Sequence, residues 1–236
     1  MTTTPEQEDP IERYAQYDPD QVDLIKVMSK SLLLGMSIAF NILILYQQYT
    51  YKYYRLNIYF LFLTMFHIFE FINTVLFNIT QVDDDSFILE DKEMHGITVL
   101  SIAEHFIHVN YWNISSFSSA IGLCLAIGGQ IIRSVSMYTA QESFNHYIQR
   151  NHKVHNHVLV THGVYKYIRH PSYFGFFWWF VGLQLYLNNI AVLFIGGYIL
   201  WKFFKLRIEF EEGFLIKFFG QDYITYKQHT KTFMMI

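Results

Sequence analysis

The chain has 236 residues and a formal charge of −3, and 52% of its side chains are apolar, 19% aromatic and only 16% charged. A water-soluble core of this size needs more polar surface than that, so the balance favours a lipid-embedded protein. The 17 Lys and Arg residues form no basic stripe, which argues against nucleic-acid binding, and the lone Cys124 leaves nothing for a disulfide framework.

Residues 1–23 are acidic and polar (Glu6, Glu8, Asp9, Glu12, Asp18, Asp20, Asp23) and lack a basic stretch followed by an apolar run. They read as a loosely attached tail rather than a cleaved signal peptide. The rest, 24–236, reads as one membrane domain. Its first spanning candidate is Ser29 to Tyr46, followed by the interfacial aromatics Tyr49, Tyr51, Tyr53 and Tyr54. A second runs from Leu56 to Ile79, an acidic loop covers Asp83 to Glu93, and a weaker helix covers His95 to Trp112. Phe117 to Tyr138 carries Ser118, Ser119, Ala120, Gly122, Ala126, Gly128 and Gly129, small residues that let helix backbones approach inside a bilayer. In this run Arg133 is expected to snorkel to the interface, and Cys124 to pack.

From Thr139 to Pro171 the chain turns polar. The last apolar runs, Tyr173 to Leu187 and Ile190 to Phe204, are separated by Asn188-Asn189, which predicts a tight antiparallel hairpin. The expected fold is therefore all-α and polytopic, with about six transmembrane helices and a cytosolic C-terminal helix. Ten of the 17 basic residues lie in 139–236, which assigns that portion to the cytosol.

The polar connection holds six of the 11 histidines, His146, His152, His155, His157, His162 and His170. No Cys lies nearby and the spacings fit no zinc pattern, so no metal is expected, although a histidine-lined metal carrier is the non-enzymatic alternative. Pro171 suits the first turn of a helix and biases His170 to an extended conformation. That helix start is either a plain interfacial cap or a seat for an anion. Arg207 and Glu211, four residues apart, either pair as a weak surface bridge or flank a polar pocket. His67, Glu70, Glu104, His105 and His108 are ionisable residues inside predicted spans, read as interhelical hydrogen-bonding groups rather than a proton relay.

The string His157-Val158-Leu159-Val160 with Gly163 and Tyr165, followed by Arg169-His170-Pro171-Ser172-Tyr173 and Gly175, resembles the isoprenylcysteine carboxyl methyltransferase family. The likeness continues through Trp178-Trp179, Gly182, Gln184, Trp201 to Phe204, Arg207, Glu209, Glu211-Glu212 and the segment Phe218 to Lys227. Upstream it takes in Phe144-Asn145-His146, Gln149, Phe66-His67 and Glu70-Phe71. The tail and the acidic loop fall outside it.

The resemblance implies a multi-pass endoplasmic reticulum enzyme with its active site facing the cytosol and its catalytic core in 139–236. Such an enzyme methylates the C-terminal carboxylate of farnesyl- or geranylgeranylcysteine, after prenylation and proteolysis of C-a-a-X proteins such as small GTPases and prenylated peptide pheromones. S-adenosylmethionine is the implied donor, surrounded by Gln149, His157 to Val160, Tyr165, His170 to Tyr173, and Glu211. Arg207 is the implied substrate residue. A phospholipid N-methyltransferase shares the Arg-His-Pro core and is the nearest alternative. A NADPH-dependent sterol reductase is the next, and no Gly-rich dinucleotide fingerprint supports it.

Overall fold

The computed structural model describes residues 22–47, 52–77, 79, 82–112, 115–144 and 158–236. These residues form α1 (Leu24–Gln47), α2 (Tyr54–Phe77), α3 (Lys92–Tyr111), α4 (Ser116–Ala140), α5 (Pro171–Leu187), α6 (Gly197–Phe219) and α7 (Gln221–His229). Among them β structure is limited to the single bridge Ile168–Lys231. The tail lies almost wholly outside the described residues.

Among the described residues three helices, α1, α2 and α4, are long and apolar enough to cross a membrane by length and composition. α1 leans on α2 through Ser37 Oγ and Thr64 Oγ1, 3.0 Å apart, and turns most of its apolar side chains outward. Lys30 Nζ ties its first turns to the acidic loop, donating to the Asp84 carbonyl at 2.7 Å and to Glu90 at 3.0 Å. Asp91 and Ser115 cap α3 and α4, each accepting from a backbone N–H three residues on.

The closest packing joins α4 to α5. Ser119, Gly122, Ala126, Gly129, Arg133 and Ser136 form one buried stripe of α4, and Ser172, Gly175, Trp179, Gly182 and Tyr186 form the facing stripe of α5. A Cβ on Gly129 would stand 2.5 Å from the Gly175 carbonyl oxygen, and one on Gly175 would stand 2.7 Å from the Arg133 amide nitrogen. The backbones touch because those side chains are missing. Gly128, by contrast, faces open space, and Cys124 points outward instead of packing.

α5 ends at Asn188, which takes the left-handed conformation (φ 60°). Its side chain bonds to Ser115, Ser118 and Ser119, which pins this turn to the start of α4. Glu104 of α3 then accepts from the Ala191 and Val192 amides at 2.7 and 2.8 Å, occupying the free N–H groups where the return helix begins. A π-helical turn, Val192–Gly196, leads into α6.

The sequence assigned this last arm to Ile190–Phe204, but the helix runs on to Phe219. Lys205, Arg207, Glu209, Glu211 and Glu212 mark where the apolar run stops. They are tolerable helix formers, so nothing breaks the helix before Gly220 (φ 57°). After α7 the chain folds back, with Trp201 Nε1 donating to the Met234 carbonyl at 2.7 Å and Met234 buried against Phe204 and Ile208.

Candidate active site

Pro171 is the first residue of α5, as its missing N–H favours, and His170 before it sits at φ −126°, ψ 68°. The approach to this start runs through a 3₁₀ turn, Gly163–Lys166. Gly163 has φ 57°, and a Cβ on it would stand 2.8 Å from the Thr139 methyl of α4, so the turn needs glycine on two counts. Tyr165 is thereby set over α4. The Tyr226 hydroxyl of α7 donates to its carbonyl at 2.6 Å. Burial, reinforced by the Glu211 charge, pushes the Tyr165 phenol well above its usual range.

Arg207 and Glu211 reach the same place from α6. Their relation fits the pocket reading: the Tyr173 hydroxyl accepts from Arg207 Nε at 2.9 Å and donates to Glu211 Oε2 at 2.7 Å. The guanidinium also lies over the Tyr173 ring, 5.6 Å from its centroid. That ring is held between His170, stacked at 5.7 Å, and Phe204 at 5.1 Å.

Glu212, which the motif likeness includes without assigning it a role, anchors a second network behind the first. It accepts from Arg169 Nε at 2.6 Å and from Lys227 Nζ at 2.5 Å, and lies 3.2 Å from His170 Nε2. Arg169 Nη1 also donates to the Thr230 carbonyl, and its own amide donates to Lys231. Burial alone would raise the Glu212 carboxyl, but the bonds from His170, Lys227 and Arg169 outweigh it and hold the group well below the usual carboxylate range. Its partners Arg169, His170 and Lys227 lie 43, 42 and 15 residues away in the chain, beyond the reach of local spacing rules.

Arg133 corrects an expectation. It does not snorkel: it is buried, and Glu70 of α2, with no exposed surface, accepts from its Nε at 2.5 Å and its Nη2 at 2.8 Å. Its Nη1 donates to Ser172 Oγ at 3.0 Å. Two helices supply the charge pair at one level, so neither side chain needs to reach for water. His67 and His105 bond between elements as expected, His67 Nδ1 to the Phe87 carbonyl at 2.9 Å and His105 Nδ1 to the Leu187 carbonyl at 2.8 Å, whereas His108 Nε2 lies 3.7 Å from Glu104 of its own helix.

One cavity of about 690 Å³ gathers Val158, Leu159, Val160, Tyr165, His170, Pro171, Ser172, Tyr173, Arg207 and Glu211. Gln149 and His157 lie outside the described residues, as do His146, His152 and His155. From its polar end the cavity descends between α2, α3, α5 and α6 past Leu63, Phe66, Ile97, Phe176, Phe180 and Leu200 to Tyr59 and Gln184. Its lining also takes in Asp83, Asp85, Glu90, Asp91 and Glu93, from the acidic loop that the motif likeness did not cover. Phe176 both lines the cavity and packs on Phe66 and Trp179. Among the described residues the carboxylates of Asp84, Asp85 and Glu90 come within ligand spacing of one another, and Lys26 and Lys30 already pair with that group.

Residues 120–217 match the model of the isoprenylcysteine carboxyl methyltransferase (ICMT) family. The protein-S-isoprenylcysteine O-methyltransferase of Saccharomyces cerevisiae is 39% identical over 207 residues, covering 83% of each chain. The human protein of the same name is 37% identical over 174 residues, 72% of this chain and 61% of its own. A solved structure of the eukaryotic intramembrane Ras methyltransferase ICMT superposes with a TM-score of 0.82 at 32% identity, covering 93% of this chain and 78% of that one. With its fold, its motif residues and this overlap in agreement, the chain belongs to the isoprenylcysteine carboxyl methyltransferase family.

Proposed function

We propose that the chain transfers a methyl group from S-adenosylmethionine to the C-terminal carboxylate of farnesylated or geranylgeranylated cysteine, giving the methyl ester. The observation that carries this reading is the continuity of one cavity, polar around Tyr173, Arg207 and Glu211 and apolar between the helices below. A water-soluble donor needs the first compartment and a prenyl chain the second.

The residues at the polar end fit the donor. Glu211 offers an acceptor for its amino or ribose groups, and Val158, Leu159 and Val160 offer an apolar edge for its purine. Tyr165 and His170 to Tyr173 line the same space, and the family likeness adds Gln149 and His157. When bound, S-adenosylmethionine supplies an electrophilic methyl group on a sulfonium. The acceptor carboxylate is already ionised at neutral pH, since a terminal carboxyl titrates near about 3.5, so no side chain need act as a base. Arg207 holds that carboxylate by parallel N–H bonds, and Tyr173 fixes the plane of the guanidinium. Orientation and exclusion of water by the apolar walls account for the rate.

Within the single domain 24–236, the catalytic core is 139–236. Six crossings are proposed, by α1 to α6, with α5 and α6 as a hairpin and α7 on the cytosolic side. Lys30 bonding to the acidic loop sets the start of α1 beside the end of α2, and Asn188 bonding to Ser115 marks the opposite side. The proposal includes an endoplasmic reticulum membrane, an active site open to the cytosol, and small GTPases and prenylated peptide pheromones as substrates, readings that the family likeness supports. Purified protein in detergent, supplied with labelled donor, is expected to methylate N-acetyl-S-farnesylcysteine and to leave phosphatidylethanolamine unlabelled. The reverse pattern would assign it to phospholipid N-methylation instead.

A further inference from the structure

The buried Glu70–Arg133 pair has no part in the mechanism above, yet Arg133 lines the same cavity as Arg207 and Glu211. We infer that Glu70 is a positioning residue that acts through Arg133 on the start of α5, an inference that rests on the proposed methyl transfer and deepens it.

Contacts run in an unbroken series. Glu70 engages two guanidinium nitrogens of Arg133 at 2.5 and 2.8 Å, which fixes the plane of the group. The third nitrogen is thereby aimed at Ser172 Oγ, 3.0 Å away, and at the Ser172 carbonyl, 3.4 Å away. Ser172 is followed directly by Tyr173, whose hydroxyl bonds to Arg207 and Glu211. Arg133 is also clamped between the rings of Phe66 and Phe176, 5.4 and 5.3 Å from their centroids, so it has little freedom to tilt. The pair therefore sets the level at which the Tyr173 hydroxyl meets α6.

Stability alone does not account for such a pair. Burying two charges in a span is costly, and replacing both with apolar groups is commonly neutral or stabilising, whereas removing one leaves the other uncompensated. Intramembrane charges are kept where they serve a site. Two variants of the full chain in detergent separate positioning from packing. Glu70→Asp keeps the charge and withdraws the carboxylate by one methylene, about 1.5 Å. The double variant Glu70→Gln, Arg133→Met removes both charges together.

For each variant, kcat and KM with N-acetyl-S-farnesylcysteine, the unfolding temperature and the affinity for S-adenosylhomocysteine are measured against the parent. Glu70→Asp is expected to unfold near the parental temperature and to bind S-adenosylhomocysteine as the parent does. Its kcat is expected to fall about 100-fold, the scale of an ångström's misplacement, with KM little changed. The double variant is expected to be as stable as the parent and as slow as Glu70→Asp. Parental kcat in either variant overturns the inference, and so does failure of both to fold, since the pair would then be packing alone. A parent that methylates no prenylcysteine sinks the proposed function instead. The inference would then be judged on the same ratios with whichever acceptor the parent methylates.

Discussion

Tyr173 and Glu211 are joined by a 2.7 Å hydrogen bond in which the phenol donates, and the same oxygen accepts from Arg207 at 2.9 Å. One hydroxyl at the start of α5 thus fixes two charged side chains of α6. The pairing depends on α5 beginning at Pro171 and on α6 persisting past the apolar stretch.

Arg207→Ala and Glu211→Ala are each expected to lower kcat/KM for N-acetyl-S-farnesylcysteine by about 100-fold or more, the scale of losing one electrostatic contact to the reacting group. Both positions are half-buried, so the proteins should fold, as judged by detergent size-exclusion profile and unfolding temperature. Full activity in either variant would remove the role given to that residue.

Tyr173→Phe keeps the ring between His170 and Phe204 and removes only the hydroxyl bridge. A fall in kcat of about 10-fold, equivalent to roughly 1.4 kcal/mol, is expected with the unfolding temperature unchanged within a few degrees. Steady-state kinetics with both substrates varied checks this.

Leu63→Trp places a large side chain in the apolar compartment, away from the polar cluster. KM for the prenyl substrate should rise about 10-fold or more through overpacking, while calorimetric affinity for S-adenosylhomocysteine stays at the parental value. Equal losses in both would mean that the two ligands do not occupy separate ends of the cavity.

The Glu212 carboxyl is held below its ordinary range in the folded protein, so its contribution to stability is complete above the unfolded value, near about 4.3. That contribution is lost as pH falls from there through the folded value. Glu212→Gln leaves the buried Arg169 without its carboxylate and should lower stability by about 3 kcal/mol at pH 7. The gap in unfolding temperature between parent and variant is expected to be constant from pH 7 to 5 and to narrow below pH 4.

At the α4–α5 contact, Gly129→Val drives side-chain atoms into the backbone of α5 and should destabilise the protein by about 3 kcal/mol or prevent its accumulation. Gly128→Ala, one residue away and facing open space, should be neutral or stabilising by up to about 1 kcal/mol. Detergent unfolding of both variants decides between a specific interface and general sensitivity of the helix.

The motif likeness assigns to the site ten of the residues that line the cavity, and the membrane character, the helical runs and the start of α5 are legible in the sequence. Each is a local property: long apolar stretches must avoid unpaired backbone in lipid, and proline dictates where a helix begins. What the sequence by itself leaves open is which charges meet. Arg133 reads as an interfacial residue until α2 delivers Glu70 at its depth, and Glu212 reads as one carboxylate among several until Arg169, His170 and Lys227 converge on it. The acidic loop belongs to the cavity only because Lys30 of α1 and His67 of α2 bond to its backbone and hold it there. Such pairings join residues tens of positions apart, and their energies depend on separation and burial in the folded chain, quantities that only the tertiary structure sets.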